Sequence, residues 1–283
     1  MMEKPLLAFG EVLWDIFPDG KRLGGAPLNF SYYFQKAGGN PRVISAVGYD
    51  NLGIEAIYKI AKMGLDSSHI RQINKQTGIV DILLDIKGHQ FNIRRKAAWE
   101  NIFYPNRELV NNSSGLYFGT VARISWRNRA TLDKLIENLD GKVVFLDLNL
   151  RKGFYNLQDI TNILKRVNYL KMNEEEAGIL KEAGILKEVI EEEIIYYLIK
   201  DYNLKAGCIT LGKRGAVGGD KNSIFKINGV PAIMGGDSVG CGDAFAGTWL
   251  ANLLKGKTME ESLYRANEIA SRVASEKGAI VRV

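Results

Sequence analysis

Histidine and cysteine are nearly missing from this chain of 283 residues, which holds two of each: His69, His89, Cys208 and Cys241. With so few, neither a His-based zinc site nor a Ser-His-Asp triad is expected, and no disulfide framework is expected either. Long apolar runs are missing too. No stretch reaches the ~20 residues that a membrane-spanning helix needs. The first strand-like run, Leu6-Leu7-Ala8-Phe9, follows no signal-peptide apolar region or small-residue cleavage site, so the expectation is a cytoplasmic protein with no membrane partner. A basic stripe interleaved with aromatics is also absent. The net charge is +6, but the 38 lysines and arginines are dispersed. That argues against nucleic acid and leaves a polyanionic small molecule, or no partner at all, behind the excess.

What is present is an ordinary globular composition, 46% hydrophobic and 25% charged, enough for one large α/β domain. Its most informative stretch is Gly235-Gly236-Asp237-Ser238-Val239-Gly240-Cys241-Gly242-Asp243-Ala244-Phe245-Ala246-Gly247. Phe245, Trp249 and Leu253 recur at helical spacing, and Leu250 and Leu254 widen the stripe, so a helix starts near residue 240. Small residues before it leave backbone N–H groups bare, and the first N–H groups of a helix have no internal partner. Gly240, Cys241 and Gly242 therefore form a cradle for a phosphate. Asp243 would repel that anion, unless its task is to take a proton from a hydroxyl attacking the phosphorus. A first-turn Asp also caps a helix without any chemistry.

Elsewhere strands and helices alternate. Strands are expected at 5–13, 42–47, 143–146, 168–172 and 207–211. Helices are expected at 26–37, 53–64, 156–166, 187–202, 240–255 and 258–276. This order predicts a mostly parallel sheet covered on both faces, with ligands at the carboxyl ends of its strands. Segments 14–23 and 77–95 carry strand signals without intervening helices. The second reads as a hairpin turning at Lys87-Gly88-His89. Both read as a small β lid inserted into a single domain spanning 1–283. The hexapeptide Ala177-Gly178-Ile179-Leu180-Lys181-Glu182 recurs at once as residues 183–188. That is a local duplication with no function attached.

Two glycine-bearing segments near the start, Gly10-Glu11-Val12-Leu13-Trp14-Asp15 and Gly24-Gly25-Ala26-Pro27-Leu28-Asn29, complete the pattern. With the Asp-Ser-Val-Gly-Cys-Gly-Asp run, they resemble the ribokinase-like (PfkB) carbohydrate kinases, especially the fructokinase-like branch. The likeness covers essentially the whole chain in the family's motif order. It implies a three-layer α/β/α sandwich with a small β lid, and an ATP-dependent sugar kinase. It implies that Asp15, Gly24, Gly25 and Asn29 hold the sugar, a role their chemistry suits: a carboxylate for vicinal hydroxyls, glycines for close backbone approach, an amide that donates and accepts. Asn173 and Glu176 match the family's Asn-x-x-Glu motif and would hold Mg²⁺, through water. Thr210, Gly212 and Gly215 resemble the nucleotide-side loop, and Asn267 with Gly278-Ala279 the segments flanking adenine. Arg151, in Asp147-Leu148-Asn149-Leu150-Arg151, would face the transferring phosphate or the sugar, and either Arg94 or Arg95 on the lid could touch substrate.

Two positions depart from the family's usual pattern. Cys241 stands where alanine is commonest. Val239 replaces a threonine, leaving a K⁺ site beside Asp237 as an option. The expected reaction moves the γ-phosphate of ATP to a primary hydroxyl, with Asp243 as base, weakened by its helix N-terminus. Fructose is the first expected acceptor; ribose, 2-keto-3-deoxygluconate and a nucleoside are the alternatives. A silent sugar- or nucleotide-binding module would be free to lose Asp243. A dinucleotide oxidoreductase would need a Gly-x-Gly-x-x-Gly turn that Gly10-Glu11-Val12-Leu13 does not supply. An exposed lid edge would suit a homodimer.

Overall fold

The computed structural model describes residues 4–85, 88–187, 189–233, 236 and 238–282. The chain enters through β1 (Leu6–Phe9), buried on both faces as a central strand of a parallel sheet must be. The hairpin β2 (Leu13–Phe17) and β3 (Gly20–Gly24) leads to helix α1 (Ala26–Lys36). Then come β4 (Pro41–Gly48), α2 (Asn51–Lys62) and β5 (Ile70–Ile73). A second hairpin, β6 (Gly78–Asp85) and β7 (Gly88–Ile93), precedes α3 (Arg107–Asn112) and β8 (Gly115–Gly119). The middle alternates through α4 (Trp126–Asn138), β9 (Val143–Asp147), α5 (Leu157–Leu164), β10 (Tyr169–Asn173) and α6 (Glu174–Glu182). After α7 (Glu191–Asp201) and β11 (Ala206–Thr210) lie β12 (Ala216–Asp220) and β13 (Ile224–Ile227), then α8 (Cys241–Leu254) and α9 (Met259–Ala274).

Among the described residues the main sheet has nine strands, in the order β13-β12-β11-β10-β9-β8-β1-β4-β5. From β11 to β5 every pairing is parallel, while β12 and β13 add an antiparallel edge. Two apolar layers cover it. On one face Leu132, Ile163, Leu180 and Leu198 of α4 to α7 pack on Phe118, Leu146 and Leu170. On the other, Phe30, Phe34, Phe245, Trp249 and Leu263 of α1, α8 and α9 pack on Leu6, Ala8, Phe145 and Cys208. The Phe30 and Tyr117 rings stack at 3.7 Å between centroids. Truncating one such ring to alanine costs about 3–5 kcal/mol. This is the three-layer α/β/α sandwich of ribokinase-like proteins. No described helix is long and apolar enough to cross a membrane.

The two segments outside the alternation form their own four-stranded sheet, β3-β2-β6-β7. β2 pairs antiparallel with β3 and parallel with β6, and β6 pairs antiparallel with β7, Asp85 facing Gly88. The tight turn expected around Lys87 lies partly outside the described residues. The repeated hexapeptide does not repeat as structure. Its first copy belongs to α6, whereas the second opens at the cap residue Ala183 and bends at Gly184, φ 70.

Candidate active site

The foot of α8 is built by glycine. Gly240 caps the helix with φ 82 and ψ −6, a left-handed conformation, and a Cβ there would meet the Ala279 side chain at 2.5 Å. No side chain caps α8, which leaves the first-turn N–H groups to other partners. Gly240 and Gly242 line a cavity of about 310 Å³ together with Asp243. Cys241 does not line it. Its N–H is turned to Ser238 O at 3.4 Å, and its side chain packs beside the apolar cluster of α1 and α2.

Asp243 accepts a hydrogen bond from Asn29 Nδ2 at 2.8 Å. Burial, and then the nearby Asp147 carboxylate, lift its pKa from 3.8 to about 6, against the pull of Asn29, Lys171 and Arg151. The weak base expected at a helix N-terminus is therefore corrected. Desolvation outweighs the helix dipole, and the carboxylate is a better proton acceptor than an exposed Asp.

The carboxyl ends of β9 and β10 supply the opposite wall. Lys171 Nζ donates to Asp147 at 3.0 and 3.2 Å, a pair 6% and 0% exposed at the side chains. Burial would discharge Lys171, but Asp147, Glu176 and Asp243 surround it and hold it charged. Burial raises Asp147 even so, outweighing the pull of Lys171, Tyr117 and Arg151. A Cβ on Gly242 would meet Lys171 Nζ at 2.8 Å, so the cation sits against the cradle. The Asn-x-x-Glu motif is a capping box. Asn173 Oδ1 accepts from Glu176 N–H at 2.8 Å, and Glu176 Oε2 accepts from Asn173 N–H at 2.8 Å. Glu176 Oε1 accepts from Leu150 N–H at 2.8 Å, and burial raises its pKa. Both side chains line the cavity.

Asp15, Gly25, Asn29 and Arg151 reach the same cavity. Gly24 lies beside it, where a Cβ would strike the Asp15 carboxylate, and Gly25, at φ 113, passes against the Glu11 backbone. Arg94 does not reach it. Exposed just after β7, it makes a two-pronged ion pair with Asp81 of β6 at 2.7 and 2.9 Å, because a carboxylate on the neighbouring strand outcompetes a distant substrate. Arg95 instead pairs with Glu100.

Thr210, Gly212, Gly215 and Asn267 form a separate group beside the cavity. Gly215, in the loop after β11, packs on Asn228 and Gly229, and Asn267 Nδ2 donates to Asn228 O at 2.8 Å, which ties α9 to the segment after β13. Asp237 lies outside the described residues. Sequence reasoning missed two buried groups of the cavity wall, Lys171 and Glu11. A single lysine or glutamate near a strand end carries no periodic signal, and the partners are distant in the chain.

A cradle of backbone at a helix foot, a half-buried acid beside it and a polar cleft at the strand ends suit a kinase of small molecules. The sequence profile described as pfkB family carbohydrate kinase matches residues 9–282, and the chain belongs to that family. It is a sugar kinase of the ribokinase-like fold. It is 26% identical over 270 residues to the ATP-dependent 6-phosphofructokinase of Thermoanaerobacterium thermosaccharolyticum, covering 92% of this chain and 81% of that one. It is 25% identical to the fructokinase of Salmonella typhimurium, over 99% of this chain and 96% of that protein. The crystal structure of an uncharacterised sugar kinase, PH1459 of Pyrococcus horikoshii, in complex with ATP superposes with a TM-score of 0.82. That match is at 25% identity and covers 97% and 93% of the two chains.

Proposed function

We propose that this kinase transfers the γ-phosphate of ATP to a primary hydroxyl of an unphosphorylated keto-sugar, with fructose as the first acceptor. The observation that carries the reading is the place of Asp243. It is half-buried, held by Asn29, and lines one cavity with Asp15 and Gly25, which we assign to the sugar, and with Gly240 and Gly242, which we assign to the phosphate. The acidic lining supports a neutral acceptor. Asp15, Glu176 and Asp243 outnumber Arg151 and Lys171, and Lys171 already serves Asp147. A second phosphate on the sugar would call for more cationic forks than this wall offers.

Asp15 accepts from sugar hydroxyls, while the Gly25 backbone allows the ring to approach closely. Asn29 orients Asp243 so that its free oxygen takes the hydroxyl proton late in a loose transition state. The N–H groups at the foot of α8 stabilise charge on the transferring group, reinforced by the Lys171 ammonium beside them. Among the described residues no three His, Cys, Asp or Glu side chains form a metal cage. Asn173 and Glu176 offer only oxygens already engaged by backbone N–H groups, which fits Mg²⁺ held through water and substrate phosphates. Bound there, Mg²⁺ would neutralise phosphate charge.

The test is Asp243→Asn with calorimetry of fructose and ATP binding. Turnover is expected to fall by about 100-fold or more with both affinities kept within a few-fold. Near-normal kcat would remove Asp243 from the role of base. kcat/KM over fructose, fructose 6-phosphate, ribose, 2-keto-3-deoxygluconate and adenosine decides the acceptor.

A further inference from the structure

Among the described residues, two atoms of the cavity wall are sealed acceptors with no donor: Glu11 Oε2 and Asn29 Oδ1. Their residues are 5% and 4% exposed, so these atoms are shut off from bulk solvent. The other atom of each group is already used. Glu11 Oε1 accepts from Ala26 N–H at 3.2 Å, and Asn29 Nδ2 donates to Asp243 Oδ2 at 2.8 Å. Ala26 is the first residue of α1 and Asn29 lies one turn further along it, so the Glu11 carboxyl is bound at the foot of the helix that bears the Asn29 amide. Buried polar atoms are almost always paired, and a single proton on Glu11 would pair both.

We propose that Glu11 works as a neutral acid, donating from Oε2 to Asn29 Oδ1, and so fixes the amide that holds Asp243. Glu11 is thus a positioning residue, at the start of a chain that runs from Ala26 N–H through Glu11 and Asn29 to the base. Its role rests on the reading of Asp243 as base. Were Glu11 ionised, two carboxylates would compete for one amide NH₂, and Asn29 would be drawn away from Asp243. The charged and titratable groups facing Glu11 are Asp243 on α8, Arg151 after β9 and the Tyr117 phenol on β8. Burial, reinforced by Asp243, outweighs the backbone N–H groups and Arg151 and lifts Glu11 to about 7, high enough to keep the proton through the acidic half of the neutral range.

Two variants and one spectrum test this. Glu11→Ala is expected to lower kcat on the order of 100-fold at every pH. Glu11→Gln, whose amide can donate to Asn29 but cannot ionise, should recover most of that loss. It should also lack the fall in kcat that the wild type shows above about pH 7. Infrared difference spectra of wild type minus Glu11→Gln, without substrates, should show a protonated carboxyl at pH 6 that titrates away near pH 7. The proposal is overturned if Glu11→Gln is as impaired as Glu11→Ala, or if that band is absent at pH 6. The same spectrum taken in an Asp243→Asn background separates the two readings. Turnover by Asp243→Asn refutes the base, while the band reports on Glu11 alone.

Discussion

Replacing Lys171 by methionine tests how this site tolerates its buried charge. The thioether keeps most of the stem's packing, so the change is chiefly the loss of the ammonium that donates to Asp147 at 3.0 and 3.2 Å. Asp147 is then a carboxylate with 0% exposure, left with only the Tyr117 hydroxyl at 3.4 Å. Removing one partner of a buried pair costs about 3–5 kcal/mol, a large share of the ~5–15 kcal/mol that holds a domain folded. The loss should depend on pH. Burial already raises Asp147, and without Lys171 it rises further, so at low pH the carboxyl takes a proton and the penalty shrinks. Urea unfolding followed by fluorescence of the buried Trp99 and Trp249 should give a deficit of about 3–5 kcal/mol at pH 8 and a smaller one at pH 5. Adding Asp147→Asn should restore a substantial part of it at pH 8. A deficit under about 1 kcal/mol at pH 8, or one that is equal at the two pH values, would refute the view that this cation is needed to bury three acids.

Gly240→Ala forces a side chain onto a left-handed residue and into Ala279, so kcat should drop by about 10-fold or more with no change in the acceptor ranking; steady-state kinetics on the purified variant checks this. Asp243 must be ionised to accept a proton, so wild-type kcat should fall about tenfold per pH unit below its value of about 6, and a flat profile down to pH 5 would count against it. The folded protein keeps protons on Asp243 and Glu11 that the unfolded chain has already released, from pH ~4 upward. Stability measured by denaturant should therefore decline as pH rises towards about 7, and Glu11→Gln should flatten part of that decline.

Much of the fold is legible because its elements are periodic. The core strands are continuous apolar runs, and α8 repeats its aromatic and leucine stripe at helical spacing. Harder to see were α4, whose residues 126–138 are mostly polar and whose start is set by Ser125, and β12, one strand in from the edge, whose Gly218-Gly219 carries no strand signal. The phosphate end of the site was legible because glycines at a helix foot have few other reasons to cluster. The electrostatics were not, since the height of Asp243 comes from burial and from Asp147, almost a hundred positions away. Arg94 shows the converse. A cation in a suggestive place was taken by Asp81, on the neighbouring strand of its own hairpin.

The four-stranded sheet gives the enzyme a way to change diet. It contributes Leu13, Asp15, Val80 and Ile93 to the cavity, yet its own apolar cluster is small, centred on Leu13, Phe17, Val80 and Ile82. The phosphate end, by contrast, is anchored in α8 and in strands that belong to the two large cores. Substitutions that reshape the acceptor wall therefore put little of the molecule's stability at stake, whereas changes at the donor end touch everything. Acceptor preference can drift, or be re-engineered, while the phosphate-transferring half stays as it is.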